Sequence, residues 1–519
     1  MNLHYFSGQQ LTVLLLWAIM ATASIWFFEN GSKTKSIALL IIASFCSGYF
    51  AYLLDPFLNL WDEQYHALVA KNMVENPFKP MLYKDPVLKY DYRNWVLNHV
   101  WLHKQPLFLW QMALSIKLFG PSVFAVRLPS VIMHALMAFL VYRIGSNALN
   151  ARTGFYAGLF SSISFFPLEL ISGYIPTEHN DLAFLFYVTA SLWAFTEYVK
   201  TQKRYWALLA GAFSGGAILI KWLTGLLVYA GWIAWITIDN RTYNKQHRLH
   251  LMAALLTTFL VFAPWQVYIL WAFPLESMHE YAFNSKHFYE AVEGHEGDVM
   301  FHLTAMDVLY GSGDLMKYLV IFAVLIASLK SKAVGIKIAF IVWFIVVYTF
   351  FTLAATKMVS FCSIVSSVVF TGFGYLFASA MSQFKRHLTS PKLFAVLTIP
   401  FLGIACWLFL NLNDIANNHT SKAAIGRHRK HLSPEQVNYL QSLKGQLPPK
   451  TVIFTDWMFG HAPTMFFTDY TAYWHMPSNE LIDSLSNRNH TLVLMADSVP
   501  ERLLHNKNII VMKAPKSRR

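Results

Sequence analysis

The fold is decided by apolar runs that are each long enough to cross a membrane. One of them, residues 36–54, reads SIALLIIASFCSGYFAYLL and contains no charged side chain. A helix of this length spans roughly the 30 Å hydrocarbon core of a bilayer. Two adjacent acids, Asp62 and Glu63, follow shortly after this run, near the start of a polar stretch at residues 55–121. This part of the sequence therefore predicts a transmembrane helix that leads into a long polar loop.

Similar apolar runs recur along the whole chain. The 519 residues are 55% hydrophobic and only 13% charged, which is too apolar for an ordinary soluble protein. We therefore predict an all-α polytopic membrane protein with about twelve transmembrane helices. The predicted spans are residues 10–28, 36–54, 122–144, 153–171, 180–199, 205–220, 222–238, 250–271, 315–330, 338–355, 359–381 and 393–411.

Positive charges alternate between the two ends of the predicted spans. Loops on one side each carry two or three lysines or arginines, whereas the short turns on the other side hold little beyond Lys221 and Lys357. Since cationic loops are retained in the cytoplasm, loop 55–121, loop 272–314 and the tail from residue 412 are predicted to lie outside it. The formal charge of +13 thus reflects topology, favours contact with anionic membrane lipid and indicates no nucleic-acid partner.

These features divide the chain into four predicted parts. They are the N-terminal transmembrane helices (1–54), a first extracytoplasmic loop that carries the candidate site (55–121), a transmembrane bundle with an outer loop at 272–314 (122–411), and a soluble extracytoplasmic α/β domain (412–519). In the first loop we predict two short helices along the membrane surface, at 62–74 and 106–119. In the C-terminal domain we predict strands at 451–455, 464–468, 491–495 and 509–512, and a helix at about 478–487.

The acids Asp62 and Glu63 have two interpretations. Acids at the start of a helix are favoured by its exposed amides and its dipole, so the two residues could simply cap the helix. Alternatively, one carboxylate acts as a general base or positions a substrate or a divalent cation, either Mg²⁺ or Mn²⁺. We favour the second interpretation because an acid beside the hydrocarbon boundary costs free energy unless it has a task.

Three lysines are candidates for binding an anion at the same end of the bundle. Lys104 precedes Pro106, and Lys221 and Lys357 lie in short turns outside the positively charged side. Each could be a surface lysine whose stem covers apolar surface. If the three side chains converge on one cavity, they could instead hold a phosphate group as point charges.

Two further segments carry polar candidates. In the turn at residues 176–181, Asp181 is best placed to face a cavity, and Glu178 is its rival, although a hydrated turn is the simpler alternative. In loop 272–314, His287 and His295 are candidates for contacting a substrate or an acceptor, and their spacing matches no zinc motif.

Several of these segments resemble one family of membrane enzymes. Residues 61–67, WDEQYHA, are similar to the motif beginning with Asp-Glu in the first outer loop of GT-C glycosyltransferases. The branch that this chain resembles contains lipid A aminoarabinose transferase and the protein O-mannosyltransferase-like enzymes. Further similar segments are 104–110 (KQPLFLW), 124–130 (FAVRLPS), 220–221 (IK), 263–265 (APW) and 356–357 (TK). Their order matches the family across roughly residues 60–380.

The resemblance implies a GT-C-like bundle that transfers a sugar from a polyprenyl-phosphate donor, with inversion at the anomeric carbon. It implies that Asp62 is the catalytic carboxylate, that Lys104, Lys221 and Lys357 contact the donor phosphate, and that Asp181 is the acid of the second outer loop. The acceptor would be an envelope lipid, glycan or protein. The location would be a bacterial inner membrane, with the active site on the periplasmic side.

Two other functions suit a chain with many apolar spans. The protein could be a secondary transporter, although transporters place their charges near the membrane midplane. It could also be a non-catalytic envelope protein that binds polyprenyl lipid. The enzymatic interpretation requires Asp62 to lie within about 15 Å of at least one of the three lysines, in a shared cavity.

Overall fold

The protein is built mainly of helices that run side by side, with a small sheet near its C-terminus. The computed structural model describes residues 5–94, 97–175, 177–239, 245–311, 313–387, 400, 402–420, 434–457 and 460–514.

Within these ranges, nine segments are long and apolar enough to cross a membrane. They are Gly8–Glu29, Lys33–Tyr52, Val123–Ala148, Ala151–Ser172, His179–Thr201, Arg204–Ile238, Lys245–Ala272, Val334–Leu353 and Val359–Phe384. These segments are distinguished by their length and hydrophobicity, and Arg204–Ile238, with 35 residues, contains two helices. The predicted class of polytopic helical membrane protein is confirmed.

Three of the twelve predicted spans have no separate counterpart among these nine segments. Runs 205–220 and 222–238 belong to the single apolar segment Arg204–Ile238, which contains two helices joined by a 3₁₀ turn at Trp222–Leu226. The helix Met316–Lys330 has 15 residues and is about 22 Å long, since a helix rises about 1.5 Å per residue. Most of run 393–411 lies outside the described residues.

The helices up to residue 387 are labelled α1 to α17 in chain order. Their bounds are Gly8–Glu29, Lys33–Tyr52, Asp62–Met73, Pro106–Phe119, Val123–Ala148, Ala151–Ser161, Phe165–Ser172, Glu178–Thr201, Arg204–Lys221, Leu227–Ile238, Lys245–Ala272, Pro274–Lys286, Phe301–Thr304, Met306–Tyr310, Met316–Lys330, Val334–Leu353 and Ser366–His387. A second 3₁₀ turn spans Val359–Val365, and a short π-helical turn spans Cys406–Leu410.

Polar caps and small residues fix the starts of α5 and α6 and allow these helices to pack closely. The Ser122 hydroxyl accepts a hydrogen bond from the backbone of Ala125 and starts α5, and the Asn150 side chain starts α6 in the same way. A Cβ atom on Gly145 would lie 2.8 Å from the Cα of Gly154. Because both positions are glycine, α5 and α6 can approach closely at the end of the bundle away from Asp62.

The C-terminal domain is a parallel α/β unit. Its helices are Leu412–Thr420, Pro434–Leu443, His461–Phe467, Asn479–Ser486 and Glu501–Leu504, and its strands are β1 Thr451–Thr455, β2 Thr471–Trp474, β3 Thr491–Met495 and β4 Ile509–Met512. The strand order is β2-β1-β3-β4, and every neighbouring pair is parallel. The predicted strands at 451–455, 491–495 and 509–512 and the helix near 478–487 are confirmed.

The strand predicted at 464–468 is wrong. These residues belong to the helix His461–Phe467, and the missing strand is β2. A parallel pair needs a crossover between its strands, and this helix supplies it between β1 and β2. Since all seven residues of the helix are buried, the segment lacks a polar face, and its periodicity does not distinguish a helix from a strand.

The predicted surface helix at 62–74 is also wrong in one respect. Helix α3 begins and ends almost as expected, but nearly all of its residues are buried, because it packs against both α4 and the helix His461–Phe467 of the C-terminal domain. The Lys71 ammonium donates hydrogen bonds to the carbonyl oxygens of Met465 and Phe466, at 2.8 and 2.9 Å. The Tyr65 hydroxyl lies 3.2 Å from Nε2 of His461. The C-terminal domain is therefore docked on the helix that begins with Asp62.

Candidate functional site

A cavity of about 1250 Å³ opens where the polar loops meet the helix ends. Its wall contains most of the residues predicted for the site, namely Asp62, Lys104, Asp181, Lys221, His287, His295 and Lys357. Apolar side chains such as Phe166, Phe184 and Phe351 complete the wall. The cavity therefore combines a cationic polar region with an apolar surface.

Asp62 is held at the first position of α3. The preceding residue, Trp61, has a φ of 76°, which turns the chain sharply into the helix. The carboxylate is 5% exposed, and its Oδ2 lies 3.3 Å from the Lys104 ammonium. Burial favours the neutral acid, but the positive charge of Lys104 outweighs it, so the pKa of Asp62 is lowered from its ordinary value. Asp62 is therefore ionised at neutral pH.

Lys104 lies in an extended segment that is fixed on both sides. The imidazole of His103 is 3.3 Å from the Glu280 carboxylate, and the side chain of Gln105 accepts a hydrogen bond from Gln266 at 2.8 Å. Burial lowers the pKa of the Lys104 ammonium, but nearby carboxylates, Asp62 foremost, raise it by more, so the net direction is upward. The ammonium stays charged beside the cavity.

A second ion pair joins α8 to the end of α9. The Lys221 ammonium contacts the carboxylate of Asp181 and lies 4.9 Å from the centre of the Phe361 ring. Asp181 is 3% exposed, and its second carboxylate oxygen has no hydrogen-bond partner among the described residues. The two acids of the cavity, Asp62 and Asp181, are thus each paired with one lysine.

Lys357 is placed differently from the other two lysines. Its ammonium donates hydrogen bonds to the carbonyl oxygens of Phe351 and Thr352, at 3.1 and 2.6 Å, and so caps the C-terminal end of α16. The side chain lines the cavity but is 6% exposed. Lys357 therefore contributes positive charge to the cavity while its hydrogen bonds go to the helix end.

Glu63 points away from the cavity, unlike its neighbour Asp62. Successive side chains on a helix point in directions about 100° apart, and Glu63 enters the bundle, where it is fully buried. Its carboxylate receives two hydrogen bonds from Arg127, at 2.7 and 2.9 Å. Burial raises the pKa of Glu63, but the guanidinium outweighs it and holds that pKa well below the ordinary range. The structure does not bring Glu63 to the cavity wall.

The remaining predicted residues have mixed positions. Nδ1 of His287 lies 3.0 Å from the Thr356 hydroxyl, and burial together with Lys104 lowers the pKa of His287 to about 4. The His295 carbonyl accepts a hydrogen bond from the backbone of Lys357 at 2.9 Å. The side chain of Glu178 lies outside the described residues.

Comparison with known proteins places this geometry in context. A family model described as dolichyl-phosphate-mannose-protein mannosyltransferase matches residues 103–268. Two solved structures of ArnT from Cupriavidus metallidurans, apo and bound to undecaprenyl phosphate, superpose with TM-scores of 0.57. They are 16% and 14% identical to this chain. The matches cover 88% and 92% of this chain and 89% of each ArnT chain. The chain has the GT-C glycosyltransferase fold. The predicted fold class and the resemblance to that class are therefore confirmed.

Two further comparisons extend over less of the matched protein. The apo oligosaccharyltransferase of Archaeoglobus fulgidus is 13% identical, with a TM-score of 0.52, and the match covers 83% of this chain and 63% of that one. An uncharacterised protein of Aquifex aeolicus is 24% identical over 233 residues. That match covers 45% of this chain and 42% of the relative.

The residues proposed to share a metal ion do not lie together. Asp62 faces the cavity and Lys104, whereas Glu63 faces Arg127 inside the bundle. Within the described residues, no group of three or more His, Cys, Asp or Glu side chains could hold a metal ion. The arrangement shows no shared Mg²⁺ or Mn²⁺ site between Asp62 and Glu63.

Two buried charged groups near the site were missed by the sequence analysis. Arg127 lies inside a predicted span, and a charge at such a position is itself a signal of a special role. His419 bridges two buried carboxylates, Asp55 at 2.8 Å and Glu169 at 2.9 Å. These three residues are far apart in the sequence, and no local pattern brings them together.

Proposed function

We propose that the protein is a membrane glycosyltransferase that moves a sugar from a polyprenyl-phosphate donor to an envelope lipid, glycan or protein. The observation that carries this proposal is the shared cavity, in which Asp62 lies 3.3 Å from Lys104 and faces the same space as Lys221 and Lys357. The reaction would occur on the periplasmic side of a bacterial inner membrane. The GT-C fold and the undecaprenyl phosphate bound to ArnT support the choice of donor.

In this proposal the lysines stabilise the departing phosphate. When the bond between sugar and phosphate breaks, negative charge builds up on the phosphate oxygens, and preorganised cations lower the free energy of that state. Lys104 and Lys221 provide ammonium groups whose present partners are carboxylates. A donor phosphate would replace or share these partners, while Lys357 adds a longer-range positive charge.

Asp62 would act on the acceptor. Because its pKa is lowered, the carboxylate is ionised at neutral pH and can accept a proton from an acceptor hydroxyl or orient that hydroxyl. Attack from the side opposite the phosphate would invert the anomeric carbon. Asp181, paired with Lys221, would contact the sugar or the acceptor from the wall formed by α8.

The size of the cavity suits two substrates. Pockets for one small molecule measure about 300–1,000 Å³, and this cavity has about 1250 Å³. The volume accommodates a sugar phosphate together with the reacting part of an acceptor. The apolar part of the wall suits the first isoprene units of the lipid chain.

Replacing Asp62 by asparagine tests this function. Membranes that contain the protein are supplied with undecaprenyl phosphate carrying radiolabelled mannose, glucose or aminoarabinose, and label in envelope lipid and protein is counted. We expect transfer by the wild type and a loss of at least about 100-fold for Asp62→Asn, since general bases contribute that much. The control Asp483→Asn changes an exposed acid of the C-terminal domain and should transfer normally. Equal turnover by Asp62→Asn would contradict the proposed role.

A further inference from the structure

Arg127 ties the loop before α3 to the centre of the bundle. Its side chain is fully buried in α5 and, besides binding Glu63, donates hydrogen bonds to the backbone carbonyl oxygens of Asp55 and Phe57, at 2.6 and 2.9 Å. A planar guanidinium has five donors in a fixed arrangement, which suits it to holding several acceptors at once. One side chain thereby fixes both the loop and the first turn of α3.

Glu63 extends this set of contacts to α8. Its Oε2 accepts a hydrogen bond from the backbone of Asn59 at 2.6 Å, and its Oε1 lies 3.2 Å from Nε2 of His179. Because an ionised carboxylate only accepts, Nε2 of His179 is the donor. Nδ1 of the same ring lies 2.5 Å from the Ser130 hydroxyl. The buried positive and negative charges balance, and helices α3, α5 and α8 meet at this point.

Each of the two acids in the cavity is close in sequence to a residue of this hydrogen-bonded group, which consists of Glu63, Arg127 and His179. Asp62 directly precedes Glu63, and Asp181 follows His179 by two residues in the first turn of α8. The backbone beside Asp62 is strained, because Trp61 has a φ of 76°. A conformation of this kind persists only where its surroundings enforce it. The contacts of Glu63 and Arg127 supply that enforcement on both sides of Asp62.

We propose that Glu63, Arg127 and His179 form a positioning cluster that sets the places of Asp62 and Asp181 in the cavity. This inference rests on the proposed function. The three residues do not contact the substrates. They act through the backbone of two helix ends, so their loss should impair the chemical step more than the binding of the donor lipid. A displacement of about 1 Å at a reacting group can cost 100-fold in rate.

The test compares the buried ion pair of Glu63 and Arg127 with a partly buried ion pair of the same chemistry. Glu63→Gln keeps the shape of the side chain but removes its charge beside Arg127. The matched control is Glu29→Gln, because Glu29 pairs with Arg152 at 2.5 Å and lies away from the cavity. We expect Glu63→Gln to lower kcat by about 10- to 100-fold, with little change in the dissociation constant of undecaprenyl phosphate. Glu29→Gln should keep kcat even if its melting temperature falls.

The possible outcomes separate the inference from the function on which it rests. If wild-type transfer depends on Asp62 but Glu63→Gln keeps its kcat, the positioning cluster is refuted and the proposed function stands. If kcat falls in both glutamate variants in proportion to the decrease in melting temperature, the cluster only stabilises the fold, and the inference also fails. If the wild type transfers no sugar from any of the three donors, the proposed function fails and the inference with it.

A milder variant keeps the test decisive if Glu63→Gln does not fold. Ser130→Ala removes only the outermost contact of the cluster, the one to His179. We expect a smaller decrease in kcat, with undecaprenyl phosphate bound as tightly as by the wild type. An unchanged kcat, or weaker binding without a change in kcat, would overturn the inference.

Discussion

Replacing Lys104 by methionine removes the charge that faces both Asp62 and the proposed phosphate. At 3.3 Å, and with an effective dielectric constant of about 20, Coulomb's law gives roughly 5 kcal/mol for this ion pair. Since 20% of the lysine side chain is exposed, solvent screening reduces that value. A charge-assisted hydrogen bond to the phosphate contributes about 1.5–3 kcal/mol net. We therefore expect undecaprenyl phosphate to bind about 10- to 100-fold more weakly to Lys104→Met.

The same substitution should change the pH dependence of transfer. In the wild type, Lys104 lowers the pKa of Asp62 against the opposite effect of burial. Without the ammonium, burial dominates and the pKa of Asp62 rises. Since only the carboxylate form can accept a proton, the acidic limb of the kcat profile should move to higher pH.

Binding is measured by titrating detergent-solubilised protein with undecaprenyl phosphate, and the pH profile by transfer of the radiolabelled sugar. Lys286→Met is the control, because this exposed lysine at the end of α12 contacts only Glu290 among the described acids, at 3.9 Å. Wild-type affinity and an unmoved acidic limb in Lys104→Met would refute the reasoning.

Two other predictions concern the supports of the site. Burial lowers the pKa of His419, but Glu169 and Asp55 raise it by more, to about 9 from an ordinary 6.5. The protonated His419 therefore adds about 3 kcal/mol to the free energy of unfolding. This contribution is fully present below pH 6.5 and is lost as the pH rises through 9. The melting temperature of the wild type should fall across that window, and that of His419→Gln should start lower and fall less; parallel curves would contradict this. Gly173→Ala should lose transfer, because a Cβ there would lie 2.5–2.8 Å from polar atoms of the positioning cluster and of Asn59. Gly31→Ala has similar backbone strain with no atom within 4 Å and should stay active; equal activity of the two variants would exclude the clash.

The transmembrane architecture could be predicted because it depends on local hydrophobicity. A run such as residues 36–54 must cross the bilayer whatever its neighbours do, and the structure has a helix at Lys33–Tyr52. The short helix Met316–Lys330 shows where that reasoning ends, since apolar character alone does not determine whether a segment crosses. Packing against neighbouring helices determines whether a short apolar helix crosses the membrane. The sequence does not show which helices are neighbours.

The candidate site was predictable in part for a similar reason. Asp62, Lys104, Asp181 and Lys221 were identified from their position at the ends of apolar runs, and they line one cavity. The opposite directions of Asp62 and Glu63 could not be predicted, because they depend on Arg127 reaching Glu63 from another helix. Nor could the burial of α3, which depends in part on the docked C-terminal domain.

The central claim is that one cavity binds the phosphate of a polyprenyl-phosphate sugar between Lys104 and Lys221, beside Asp62. A cryo-electron-microscopy structure of the wild type with undecaprenyl phosphate tests it most directly. We predict phosphate oxygens within hydrogen-bond distance of the Lys104 and Lys221 ammonium groups, with the isoprene chain along the apolar wall. A phosphate bound outside the cavity, with both lysines still paired to Asp62 and Asp181, would contradict the account.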